Sequence, residues 1–154
     1  MTGQSQFALF GQRRFMPFFA TQALGAFNDN IFKNALAALL VFEASQMGGL
    51  NTDQMVNLSA MLFVLPFFLF SALFGQFADK YEKSRQIRWV KLLEVVIMLL
   101  ATLGVFLENM PMLLAVLFLL GLQATIFGPI KYGILPQILA PRELVGGNAL
   151  IETG

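Results

Sequence analysis

The 154-residue chain is 57% hydrophobic and only 12% charged, carries a formal net charge of +1, and contains neither cysteine nor histidine. An ordinary soluble domain holds roughly 25% charged residues, and the mean hydropathy here is +0.70, so this is the composition of a membrane protein. The missing residue types exclude disulfides and thiolate metal sites and argue against a zinc or haem centre; no metal or cofactor is expected.

The first 14 residues read as a short N-terminal stretch ending in Arg13 and Arg14, and an apolar segment follows over 15–42. Within that segment sits a polar block, Asn28, Asp29 and Asn30, then Lys33 and Asn34. At about 1.5 Å per residue the block falls near the middle of a bilayer-length helix. An ionisable group there costs at least about 2.5 kcal/mol on insertion scales, which a polar pathway explains and packing does not. On a helical wheel Gln22, Asp29 and Lys33 share an arc of about 40°, flanked by Gly25 and Ala26, with Asn30 and Asn34 to one side and Asn28 far round. That arc must face protein or water. Asp29 and Lys33 are spaced i, i+4 in the acid-before-base order that favours pairing: they either neutralise one another as an internal ion pair or line a cavity in which a polar substrate or cation competes for that pairing. Arg13 and Arg14 ahead of an apolar run also have the outline of a twin-arginine leader, but the polar block interrupts the run and three more apolar segments follow.

A short turn-rich loop is expected at Gly48, Gly49, Asn51, Thr52 and Asp53, then apolar segments over 55–77, 89–107 and 111–139, each long enough to cross a core roughly 30 Å thick. Residues 79–88 link the second and third, Glu108 and Asn109 the third and fourth, and the short links make neighbours antiparallel. Lys80, Lys83, Arg85, Arg88 and Lys91 crowd the second link, joining Arg13, Arg14 and Arg142 at the same end, while the other loops hold only Glu43, Asp53 and Glu108. By the positive-inside rule the N-terminus is cytoplasmic. In the third segment Glu94 follows Lys91 by three residues and reads as a local pair near the interface. The fourth contains Phe127-Gly-Pro-Ile-Lys131-Tyr-Gly-Ile-Leu-Pro136; its glycines and prolines weaken the helical ladder and permit irregular backbone against protein or a cavity. Lys131 there either snorkels to the interface or meets an anionic head group. After a turn at Pro141-Arg142-Glu143, a largely apolar run from about 144 reads as the start of a fifth span. The expected fold is therefore all-α and polytopic, a partial N-terminal transmembrane bundle over 15–154 whose further helices lie beyond Gly154.

The second segment ends Gly75-Gln-Phe-Ala-Asp79-Lys80-Tyr-Glu-Lys83-Ser-Arg85. This resembles the signature between the second and third helices of the major facilitator superfamily, Gly-x-x-x-Asp-Arg/Lys-x-Gly-Arg/Lys-Arg/Lys, at Gly75, Asp79, Lys80 and Lys83. Glu82 replaces the usual second glycine, and the last basic position is Ser84, with Arg85 one residue on. The resemblance implies a gating role for those four residues. Gly75 would let another helix approach closely, and Asp79 would accept bonds from a neighbouring bundle.

Ala26-Phe27-Asn28-Asp29-Asn30, Lys131-Tyr132-Gly133-Ile134-Leu135 and Asn148-Ala-Leu-Ile-Glu152 together resemble the bacterial lysophospholipid transporters. The longer form from Phe27 to Asn34 is especially similar to the transporter portion found fused to a phospholipid acyltransferase. That resemblance implies a twelve-helix carrier of the bacterial inner membrane that delivers lysophospholipids, chiefly lysophosphatidylethanolamine, to the inner leaflet for reacylation. Asp29 and Lys131 would contact the head group, with Asn30 and Lys33 beside them. The implied partners are the lipid bilayer, a lysophospholipid, the remaining helices of the same protein and a phospholipid acyltransferase. The chain shows no nucleophile constellation, so no enzymatic activity is expected of it, and no nucleic-acid surface. A proton-coupled exporter of small amphiphiles and a non-transporting membrane scaffold remain as alternatives.

Overall fold

The computed structural model describes residues 6–47 and 51–153. Among them every regular element is a helix: a short 3-10 helix over Gln6–Gly11, then α1 (Met16–Met47), α2 (Thr52–Lys80), α3 (Lys83–Phe106), α4 (Met110–Ile138) and α5 (Leu144–Thr153). Short links make successive helices antiparallel. The start of α1, the end of α2, the start of α3, the end of α4 and the start of α5 thus share one end of the bundle, the basic end.

Among the described residues, three helices are long and apolar enough to cross a membrane: Asp53–Lys80, Lys83–Phe106 and Met110–Ile138. The first expected span, now α1, is not among them. At 32 residues it runs about 48 Å, so length is not the reason; the concentration of Asn28, Asp29, Asn30, Lys33 and Asn34 lowers its apolarity. The outer surface is apolar, with Phe68 and Phe106 each 83% exposed, as hydrocarbon rather than water demands. The chain is a multi-pass membrane protein.

α4 is the hub, with α2 and α3 both lying along it; half of its apolar stretch is buried, against 11% for α2. The main core joins Phe32, Leu36 and Leu40 of α1 to Ile97 and Ala101 of α3 and to Leu113, Leu117 and Leu120 of α4. Gly121 of α4 lies directly against the backbone carbonyl of Phe63 on α2, the close approach that small residues give membrane helices. A second cluster closes the basic end, where Leu9 and Phe15 pack on Leu135, Leu139, Leu150 and Ile151.

The links are shorter than the hydropathy pattern suggests, because helical hydrogen bonding continues past the apolar segments into the interface. Asp79 and Lys80 belong to α2, and Lys83 to Arg88 belong to α3, leaving only Tyr81 and Glu82 between them. Gln86 fastens this turn by donating to the carbonyls of Phe77, Ala78 and Tyr81 at 3.2, 3.2 and 2.8 Å. Gly48 and Gly49 of the expected first loop lie outside the described residues, while Thr52 and Asp53 open α2 instead of preceding it. Between α3 and α4, Glu108 takes a left-handed φ of 51°, and the Asn109 side chain caps α4 by accepting from the Met112 amide at 2.9 Å. α4 runs unbroken through Pro129 and Pro136, so the irregular backbone expected there is absent; neighbouring helices restrain a proline-containing span.

Candidate functional site

A cavity of about 280 Å³ opens between α1, α2, α3 and α4. α1 supplies Gln22, Gly25, Ala26 and Asp29, the arc read from its wheel, and α4 supplies Gln123, Gly128, Lys131 and Tyr132. Lys91 and Glu94 enter from α3, and Phe67 and Phe127 add aromatic wall. Asp29 and Lys131, 102 positions apart in sequence, thus line one space. The Asp29 oxygen Oδ1 is buried and has no hydrogen-bond partner among the described residues.

Two residues of the expected site turn away from it. Lys33 forms no ion pair with Asp29 among the described residues; its ammonium sits 4.4 Å from the centroid of the Phe63 ring on α2, an aromatic face that also accepts a cation. Asn30 is exposed and returns its side-chain amide to the Ala26 carbonyl at 2.9 Å, a local bond that satisfies a polar side chain within its own helix. Asn28 lines a separate recess of about 300 Å³ that it shares with Glu94 and Thr102.

The centre of the cavity is a cluster that hydropathy placed at the interface. Lys91 Nζ donates to Glu94 Oε2 at 2.7 Å, and Gln123 Nε2 donates to the same oxygen at 2.9 Å. Glu94 is 9% exposed and Gln123 only 2%. The Lys91 ammonium also lies 4.8 Å from the Phe127 ring centroid. Gly25 admits the pair to α1: a Cβ there would meet Lys91 Nζ, with Glu94 Oε1 3.2 Å away. The i, i+3 spacing gave the pair, but its burial comes from Gly25 and α4, which no local pattern encodes.

Lys131 joins a second network with α5. Its ammonium donates to Glu152 Oε1 at 3.2 Å, and the Tyr132 hydroxyl donates to the same oxygen. The Lys131 side chain is 15% exposed, so it is neither solvated at the surface nor sealed away. Glu152 therefore ties α5 to the cavity wall.

At the basic end, Lys83 lays its stem across Gly133 of α4 and donates to the Ala78 carbonyl at 3.4 Å. Its cation thus supports the negative end of the α2 dipole. Lys80 stands 5.8 Å from the Tyr81 ring centroid, and Asp79 is exposed. Among the described residues nothing lies within 4 Å of a Cβ placed on Gly75 or on Gly128. The close approach expected at Gly75 is not made among the described residues; on α4 the backbone of a neighbouring helix comes close at Gly121, while Gly133 meets only the Lys83 side chain.

The chain is 31% identical over 134 residues to the lysophospholipid transporter LplT of Enterobacter sp. (strain 638), covering 87% of this chain and 31% of the relative. It is similarly 31% identical over 137 residues to the protein of that name from Citrobacter koseri, covering 89% and 31%, and 32% identical over 131 residues to that of Salmonella schwarzengrund, covering 85% and 30%. The chain spans about a third of the length of these relatives. No protein-family model matches it, and no solved structure does.

Proposed function

We propose, from the premise that the chain belongs to the lysophospholipid transporter family of the major facilitator superfamily, that it forms part of a secondary carrier for lysophospholipids rather than an enzyme. The observation that carries this reading is the shared cavity of Asp29 and Lys131. A carboxylate and an ammonium facing one space inside a membrane-spanning bundle match the ammonium and phosphate of a phosphoethanolamine head group. The apolar surface around the bundle lets the single acyl chain stay in hydrocarbon while the head group crosses.

In this reading the protein resides in the bacterial inner membrane with the basic end cytoplasmic, as the distribution of lysine and arginine directs. The head group passes from the outer to the inner leaflet as two helical bundles alternate their access to the cavity. The α2–α3 turn, with Gly75, Asp79, Lys80 and Lys83, serves as the gate against the second bundle. A phospholipid acyltransferase that restores the second acyl chain is the partner such delivery calls for.

The test is uptake of labelled lysophosphatidylethanolamine by vesicles containing the full-length protein, with and without a proton gradient. Asp29→Asn should abolish uptake while membrane insertion stays normal. Undiminished uptake by that variant would favour a scaffold role for the polar residues. Outward movement of small amphiphiles that requires the proton gradient would favour the exporter.

A further inference from the structure

The charges of the cavity are layered by depth. Lys91 lies eight residues into α3 (83 to 91), and Lys131 lies seven residues before the end of α4 (131 to 138), which puts both ammonium-bearing positions about 10–12 Å from the basic end. Glu94 is eleven residues into α3 and Asp29 thirteen into α1, about 16 and 20 Å deep. Two ammonium groups lie on one level, where Glu152 of α5 is bonded to Lys131, and the carboxylates of Glu94 and Asp29 lie on the next. On that second level Glu94 holds Lys91 and Gln123, whereas Asp29 Oδ1 has no donor among the described residues.

We propose that Lys91 and Glu94 are further head-group contacts, and that a bound lysophospholipid lies with its phosphate at the Lys91–Lys131 level and its ammonium between Glu94 and Asp29. The proposal rests on the carrier reading above and adds a pose and two residues to it. Breaking a buried ion pair by removing one partner is strongly unfavourable, because it leaves an uncompensated charge. A zwitterion avoids that outcome: its phosphate takes Lys91, its ammonium takes Glu94, and one ion pair is exchanged for two. Gln123 keeps its bond to Glu94 throughout and holds the carboxylate in place. An anionic head group without an amine can take Lys91 as well, but it leaves Glu94 with no cation. The pair is thus a selectivity device that is neutral while closed and opens to a ligand carrying both charges.

The experiment measures uptake of labelled lysophosphatidylethanolamine and lysophosphatidylglycerol by vesicles containing the full-length protein, with the amount inserted determined for each variant. Glu94→Gln should lower the ethanolamine-to-glycerol uptake ratio at least tenfold, and Lys91→Gln should lower uptake of both lipids. The double variant Lys91→Gln/Glu94→Gln leaves no unpaired charge, so a merely structural pair would regain wild-type uptake; ethanolamine-lipid uptake should instead stay low. An unchanged ratio in Glu94→Gln, or recovery in the double variant, overturns the proposal while wild-type uptake leaves the carrier reading standing. Failure of the wild-type protein to move either lipid overturns both.

Discussion

Gly25 on α1 leaves the Lys91 ammonium on α3 the space that a methyl group would fill. The crowded atom is the end of a flexible side chain, so Gly25→Ala can be accommodated by moving Lys91 off Glu94 rather than by separating the helices. The variant should insert at near wild-type level and melt within a few degrees of the parent, yet lose most lysophospholipid uptake. Uptake measured per inserted molecule checks this.

Gly121 presents the opposite case, because the atom it faces is the backbone carbonyl of Phe63, which no rotamer change can remove. Gly121→Ala must push α2 off α4 along their shared length. Overpacking a fitted interface costs typically about 1–3 kcal/mol. A clear drop in thermal stability of the detergent-solubilised protein is expected, larger than that of Gly25→Ala.

Lys33 is the residue whose sequence context and position disagree most. Its ammonium faces the Phe63 ring and is absent from the wall of the Asp29 cavity. Lys33→Met keeps the stem and gives up a cation–π contact of about 0.5–2 kcal/mol at a half-buried site. Uptake should remain within about twofold of wild type, in an assay where Asp29→Asn is inactive.

Most of the helical layout was legible in the sequence because it rests on local physics: apolar run length, turn residues and the arc of Gln22, Gly25, Ala26 and Asp29 on α1. What was not legible depends on contacts between distant segments. The i, i+4 spacing of Asp29 and Lys33 permits a pair, but Phe63, thirty positions further on, offers the lysine another partner. Glu94 sits close enough to the start of its apolar run to suggest the interface, and only Gly25 and Gln123 make it the centre of a buried cluster. Pro129 and Pro136 signal a broken helix by their own chemistry, yet α4 stays continuous as the packed hub of the bundle.

Gln86 had no motif to announce it, and it donates to the carbonyls of Phe77 and Ala78 at the end of α2 and of Tyr81 in the turn. Gln86→Ala leaves those acceptors to water or to nothing, at about 0.5–1.5 kcal/mol for each bond that contributes. Amide exchange around Tyr81 and Glu82 should accelerate, while the centre of α4 stays protected. Equal protection at the turn in wild type and variant would show that the glutamine does not hold it.

Glu143 is the remaining acidic group with a defined task, and it lies outside the apolar spans. It accepts from the Ala140 amide at 2.9 Å, from Gln12 at 3.1 Å and from Arg14 at 2.7 Å, which ties the entrance of α1 to the turn before α5. The Ala140 amide bond, then the Gln12 side chain, then the nearby arginines Arg14 and Arg142 hold its carboxyl below the usual carboxylate value. A carboxyl whose value is depressed in the folded protein contributes stability that is present above its unfolded value and is lost as pH falls through the folded one. The wild-type protein should therefore lose part of its thermal stability on acidification below the ordinary glutamate range. Glu143→Gln should be less stable near neutral pH and should show a smaller acid-dependent loss, because its amide cannot gain the charge that Arg14 answers. Melting curves of the two proteins at neutral and acid pH, at low salt to limit screening of a surface pair, measure the difference; parallel losses in both would assign the acid sensitivity to other carboxylates.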